Sequence, residues 1–178
     1  MDSLPLNEIK GNQVRLVPLT EADIDHRLPS WLNDPVVVRY SNQRFRVHTV
    51  DTCRQYLRGF EDSPNRYYLI PQIGNNQPIG TITAYVSMHH GTVDLGILIG
   101  ERDVWGCGFG QDAWNTLQSA VLTIPSIRKV TGGTLSCNFG MIRIFENAGM
   151  HLEAVRQAQE LVAGKPEDVI YYARFSDK

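Results

Sequence analysis

The sequence predicts an α/β fold built on a sheet of mixed direction. Apolar residues recur at helical spacing between about residues 20 and 60. Three runs rich in β-branched and aromatic side chains follow between 66 and 99, separated by turn signals. Beyond residue 110, helical and strand patterns alternate to the end of the chain.

Val14, Leu16, Val17 and Leu19 form a first strand. Thr20–Asp23 resembles a capping box, and Ile24, Leu28, Trp31 and Leu32 continue it at helical spacing, with Pro29 expected to bend or break the helix. Asn33-Asp34-Pro35 is a second helix-start signal, because proline suits the first helical position. A third helix begins near Thr49 and places Val50, Cys53, Leu57 and Phe60 on one face. Residues 66–73, 78–86 and 92–99 read as three antiparallel strands joined by the turns Gly74-Asn75-Asn76 and His89-His90-Gly91. Ala113, Trp114, Leu117, Ala120, Val121 and Ile124 then make an amphipathic helix, and 129–135 a strand. A short helix over about 138–148 turns Met141, Ile142, Phe145 and Ala148 inward. Local propensity over 152–162 leans towards helix, and 169–175 reads as a closing strand.

At 178 residues the chain suffices for one domain with a substantial core, with residues 1–11 as an N-terminal extension. A formal net charge of −2 argues against a nucleic-acid or membrane-surface binder. No apolar run approaches the roughly 20 residues of a membrane-spanning helix. The opening MDSLPLNEIKGN lacks the charged and apolar regions of a signal peptide. Cys53, Cys107 and Cys137 form neither an even framework nor a CxxC pair, so they read as reduced thiols in a cytoplasmic protein.

The stretch Trp105-Gly-Cys-Gly-Phe-Gly110 sets three glycines at alternate positions before a helix. Backbone N–H groups converge at such a turn, and the helix N-terminus adds roughly half a positive charge, which suits an anion. A tight β–α turn without a ligand fits the spacing too. A dinucleotide fold does not: the glycines follow a meander rather than the first strand, and no Asp or Glu occurs between Trp114 and Phe145 to hold a ribose. A P-loop is excluded by the lack of Gly-Lys-Ser/Thr.

Residues 94–114, DLGILIGERDVWGCGFGQDAW, resemble the acyl-CoA loop of the GNAT acetyltransferase superfamily, whose pattern is Q/R-x-x-G-x-G/A after a glycine-containing strand. Trp105 replaces the Gln/Arg of that pattern. Asn138-Phe-Gly-Met-Ile-Arg-Ile-Phe-Glu-Asn-Ala-Gly149-Met150 is similar to the family's second block, and Trp31–Pro35 with Arg39-Tyr40 looks like its opening. The likeness runs over about residues 12–175 and is greatest for the branch of ribosomal-protein N-terminal (Rim-type) and spermidine acetyltransferases. It implies a central sheet of six or seven strands, mostly antiparallel, with about four helices, and makes residues 151–158 a strand against their propensity.

The resemblance also implies a reaction: transfer of the acetyl group of acetyl-CoA to a primary amine by direct attack in a ternary complex. Trp105, Gly106, Cys107, Gly108, Phe109 and Gly110 would hold the diphosphate. Ile97, Leu98 and Ile99 would pair with the pantetheine arm, and one N–H there could hold the oxyanion, an interaction worth about 2.7–4 kcal/mol in comparable sites. Asp94 is the candidate base for the ammonium proton, since the amine must attack in its neutral form. Its other reading is a solvated carboxylate at a strand start. The family's tyrosine acid falls on Phe145 and a serine on Met141, neither of which has a proton to give. Asn138 would bind the coenzyme, cap a helix, or both.

Trp31 and Tyr40 read as core or rim residues that could line the acceptor cleft. Adjacent His89 and His90 would face opposite sides if extended, and no carboxylate stands at ligand spacing, so no metal site is expected. The acceptor could be a small-molecule amine, a polyamine, an amino sugar or a protein N-terminus; several carboxylates in the cleft would favour a polyamine. A homodimer is compatible with this reading. The alternative function is a non-catalytic acyl-CoA-binding or sensing module of the same fold, motivated by Phe145 and Met141.

Overall fold

A computed structural model describes residues 4–177. The strands are β1 (Ile9–Lys10), β2 (Arg15–Pro18), β3 (Arg66–Pro71), β4 (Pro78–Ser87), β5 (Thr92–Ile99), β6 (Lys129–Leu135), β7 (His151–Val162) and β8 (Lys165–Phe175). The helices are α1 (Arg27–Asn33), α2 (Val50–Arg58), α3 (Phe109–Leu122) and α4 (Phe139–Asn147), with short 3-10 turns at Glu21–Asp23, Asn42–Phe45 and Arg102–Val104. One open sheet runs β1-β2-β3-β4-β5-β6-β8-β7. Among the described residues, β5 with β6 is its one parallel pair. The expected α/β architecture with a mixed, mostly antiparallel sheet is present, with one short strand more than the pattern suggested.

That extra strand is β1, which lies within the segment read as an extension and pairs with β2. A buried carboxylate ties the neighbouring chain down. Asp112, in the first turn of α3, accepts from the backbone N–H groups of Asn12, Gln13 and Val14 at 3.1, 2.8 and 3.0 Å. Leu4 is buried in the same core.

Strand alternation sends successive side chains to opposite faces and so makes two cores. Tyr68, Ile70, Ile82, Ala84, Val93 and Leu95 pack under Ala113, Trp114, Leu117 and Val121 of α3. On the other face, Tyr67, Leu69 and Leu98 join Leu28, Trp31, Cys53, Leu57 and Phe60.

The helix around Trp31 starts later than its pattern suggests. Thr20–Asp23 does form a capping box, but it closes a single 3-10 turn, and α1 begins at Arg27. Pro29 lies in the first turn of α1, where no intrahelical donor is lost, so it neither bends nor breaks the helix. The Pro35 signal does not produce a helix. Asp34 accepts from Val36 N–H and one turn forms, yet Val36, Val37 and Val38 are β-branched and the turn stops there. Thr49 caps α2 as expected, exchanging hydrogen bonds with Thr52. Residues 151–162 form a strand despite their helical propensity, because β8 pairs with them on both sides of an irregularity between Arg156 and Glu160, where Ala158 N–H donates instead to Asp168 Oδ1 at 2.8 Å.

Candidate functional site

The parallel pairing of β5 with β6 covers only Thr92–Asp94 against Lys129–Thr131. Beyond it, β5 stays with β4 out to Ile99, while β6 stays with β8 out to Leu135. The sheet therefore opens as a V, and alternate backbone groups of Leu95–Ile99 face the gap without a strand partner. Two cavities meet there. One, of about 830 Å³, lies on the α3–α4 side; the other, of about 550 Å³, lies on the α1–α2 side. Ser41, Gly96, Ile97 and Leu98 line both.

The larger cavity is floored by the glycine turn. Gly106 and Gly108 have φ of 77° and 89°, left-handed conformations that favour glycine, and a Cβ at Gly106 would find open space. Gly108 is the N-cap of α3 and supplies no side chain to its first N–H groups, which stay available to an anion. Trp105 sits where the family pattern has Gln/Arg, and its indole N–H donates to the carbonyl of Ile99 at 2.9 Å, tying the turn to the end of β5. Arg39 and Arg143 also line this cavity, and no carboxylate does so among the described residues. The site thus combines free amides, a helix N-terminus and two guanidinium groups. It fits a diphosphate attached to a narrow polar arm lying along β5.

The smaller cavity is aromatic. Tyr67 and Tyr85 stand on the same sheet face, Tyr56 reaches them from α2, and the Tyr56 and Tyr85 hydroxyls hydrogen-bond to one another. Phe60 packs behind, stacked on Tyr67 at 5.3 Å. Burial pushes the Tyr67 hydroxyl up to about 12, raises Tyr56 further, and raises the Cys53 thiol. Arg46 and His48 stand on the same wall, the His48 ring Nε2 lying 3.3 Å from the carbonyl of Gln43.

Ile97, Leu98, Ile99, Trp105, Gly106, Gly108, Phe109, Gly110, Asn138 and Phe145 all line the larger cavity. Cys107 does not: its side chain is exposed outside the turn. Asn138 caps α4 through Met141 N–H and donates to Thr134 Oγ1 at 3.0 Å. Phe145 is fully buried, its ring 5.1 Å from those of both Trp114 and Tyr172.

Asp94 lines neither cavity. It pairs with Tyr85 on the face of the smaller cavity, two residues from Gly96, and accepts from Thr131 Oγ1 at 2.6 Å. Desolvation raises its carboxyl above the ordinary aspartate value, and the Thr131 hydroxyl pulls it partly back. Tyr40 lines the larger cavity rather than the smaller. Trp31 lines neither; it is buried in the α1–α2 core, its indole N–H donating to Glu101 Oε1 at 3.0 Å.

Sequence reasoning did not single out Arg143, Arg46, His48, Tyr56 or Tyr85 as site residues. Arg143 carried a usable signal, a charge within the second block that resembles the family pattern, beside the inward residues of α4. The others come from segments with no motif. Among the described residues, no group of three His, Cys, Asp or Glu could hold a metal ion, and no helix is long and apolar enough to cross a membrane.

The sequence profile of the acetyltransferase (GNAT) domain matches residues 13–151. No curated protein matches the chain. Among solved structures, a GNAT-family acetyltransferase from Bacillus anthracis is similar with a TM-score of 0.81 at 17% identity, covering 96% of this chain and 99% of that one. The spermidine N-acetyltransferase from Vibrio cholerae, in complex with CoA and spermine, has a TM-score of 0.81 at 18% identity, covering 93% and 97%. A ribosomal L7/L12 α-N-protein acetyltransferase in complex with coenzyme A has a TM-score of 0.81 at 16% identity, covering 98% of each chain. At these identities the likeness establishes the fold.

Proposed function

As the chain belongs to the GNAT acetyltransferase family, we propose that it transfers the acetyl group of acetyl-CoA to a primary amine by direct attack in a ternary complex. The observation that carries this reading is the meeting of the two cavities along Gly96–Leu98. The larger is shaped for the coenzyme and the smaller for the acceptor. The solved structures with CoA, and with CoA and spermine, support acyl-CoA use and an amine acceptor, as in the Rim-type and spermidine branch. The three free cysteines accord with a reducing cytoplasm.

Acetyl-CoA supplies a thioester, whose carbonyl carbon the amine attacks. The amides of the glycine turn and the first turn of α3, with Arg39 and Arg143, hold the diphosphate. The backbone of Leu95–Ile99 aligns the pantetheine arm, and an N–H facing the V holds the negative charge that develops on the acyl oxygen. Asp94 receives the ammonium proton through water from the far side of Tyr85. The amine nitrogen then bonds to carbon, the C–S bond breaks, and the sulfur leaves with the second amine proton. No fixed acid is required at Phe145, whose ring stays in the core.

The test is release of free thiol from acetyl-CoA across a panel of primary amines, with product mass measured. Amine-dependent release with a gain of one acetyl group is expected. Tight acetyl-CoA binding with no release for any primary amine would instead identify a non-catalytic binding module.

A further inference from the structure

We infer that the smaller cavity selects a compact aromatic primary amine that also carries an acid group, the class to which aromatic amino acids belong. This rests on the reading of that cavity as the acceptor site and adds what the site recognises.

The walls decide between acceptor classes. Tyr56, Tyr67 and Tyr85 form an aromatic patch, with tyrosine centroids 5.5 Å apart for Tyr56 and Tyr67 and a T-shaped angle of 82°. Phe60 backs all three at 5.3–5.7 Å. The patch is therefore braced, and a flat apolar group can lie against it without reordering side chains. A cavity of about 550 Å³ is within the range for a small ligand and small for a folded peptide segment.

Charge then separates aromatic amines from polyamines. A polyamine brings further ammonium groups that need anionic partners, and among the described residues no Asp or Glu lines this cavity. Asp94, just beyond Tyr85, is a lone carboxylate, and the reacting amine already makes use of it. A tyrosine face can hold one ammonium, but Arg46 adds a positive charge to the same wall and opposes a second. The Arg46 backbone N–H donates to the Gln43 carbonyl, but its guanidinium has no ion-pair or hydrogen-bond partner among the described residues, unlike that of Arg44, which bonds Ser41 and Leu161 carbonyls and faces Glu160. An unpaired guanidinium at the edge of an aromatic cavity is suited to a carboxylate on the ligand. The three demands together (ring, amine towards Gly96, acid towards Arg46) describe one small molecule.

Calorimetry on the protein loaded with coenzyme A, using L-phenylalanine, phenethylamine and spermidine, tests this directly. Phenylalanine is expected to bind at least about tenfold more tightly than phenethylamine, the cost of losing one charge-assisted contact, and spermidine most weakly. Arg46→Gln, an exposed substitution that leaves the fold intact, should remove most of the preference for phenylalanine over phenethylamine. Spermidine binding more tightly than phenylalanine, or a preference unchanged in Arg46→Gln, would overturn the inference. Product mass on the same three amines keeps the two readings apart. Binding of phenylalanine without acetylation defeats N-acetyl transfer and leaves the recognition chemistry standing. Acetylation of spermidine in preference to phenylalanine does the reverse.

Discussion

The two cavities that meet at Gly96–Leu98 are built from different materials. The larger is made largely of backbone: a glycine turn, the free amides of α3 and the unpaired edge of β5, with Arg39 and Arg143 adding charge. The smaller is made of side chains, with three tyrosines, His48 and Arg46 drawn from four separate segments. A backbone site tolerates change in most side chains around it and fails when the main chain cannot reach its conformation. A side-chain site can be re-specified one residue at a time without disturbing the other cavity. One fold can thus keep a coenzyme while its acceptor changes.

The sharpest test of that division is Gly108→Asp. It puts a side chain on a residue at φ 89°, with its Cβ 3.2 Å from Gln13 Nε2, and sets a negative charge at the turn proposed to hold the diphosphate. Acetyl-CoA affinity should fall at least about a hundredfold by calorimetry, with far-UV dichroism unchanged. Unchanged affinity in the folded variant would break the assignment of the larger cavity.

Asp94→Asn belongs to the other side of the comparison. Turnover near neutral pH should drop at least about a hundredfold, while acetyl-CoA affinity holds. The deficit should shrink as pH rises and the acceptor amine deprotonates without help. The raised Asp94 carboxyl also fixes a sign for stability. In the native state the ionised form is disfavoured, so wild-type stability falls as pH rises through the interval above the unfolded aspartate value. The variant should therefore unfold at higher temperature than wild type at pH 7, with the gap closing as pH approaches about 4. Wild-type turnover of Asp94→Asn from pH 6 to 9 would remove Asp94 from the proton path.

Phe145→Tyr sharpens the boundary between cavity and core. Gly132 lies against the Phe145 ring, so close that a Cβ there would come within 3.1 Å of Cζ. A hydroxyl on Cζ would crowd that strand and lack a partner, costing about 1–3 kcal/mol in urea unfolding. An unchanged midpoint with faster turnover would instead show the hydroxyl reaching the coenzyme sulfur. The smallest effect is expected for Cys107→Ser, which touches neither cavity. Coenzyme affinity and turnover should match wild type, and no acetyl group should be found on Cys107 in quenched reactions.

The same contrast explains what could be read from the chain. The larger cavity was legible because Trp105–Gly110 and Asn138–Met150 are contiguous, and glycine spacing reports backbone conformation directly. The smaller one was not: Tyr56, Tyr67 and Tyr85 meet through a helix register and the parity of two strands, which no local pattern encodes. Trp31 and Tyr40 read as core or rim residues that could line the acceptor cleft; the structure keeps Trp31 in the core and sets Tyr40 at the larger cavity, a distinction that needs that geometry. The core stripe of α3 followed from periodicity alone. The Pro35 helix did not form, because one favourable start could not outweigh three β-branched residues.

The bonds from Asp112 to residues 12–14 span 98 to 100 positions along the chain. During synthesis at about 5–20 residues per second, the amides at 12–14 leave the ribosome roughly 5–20 s before the carboxylate that will bind them. Although β1 to β5 can pair before it, those three amides must wait in water until α3 arrives. A nascent chain halted before residue 112 leaves residues 12–14 without that anchor, available to chaperones and to proteases alike.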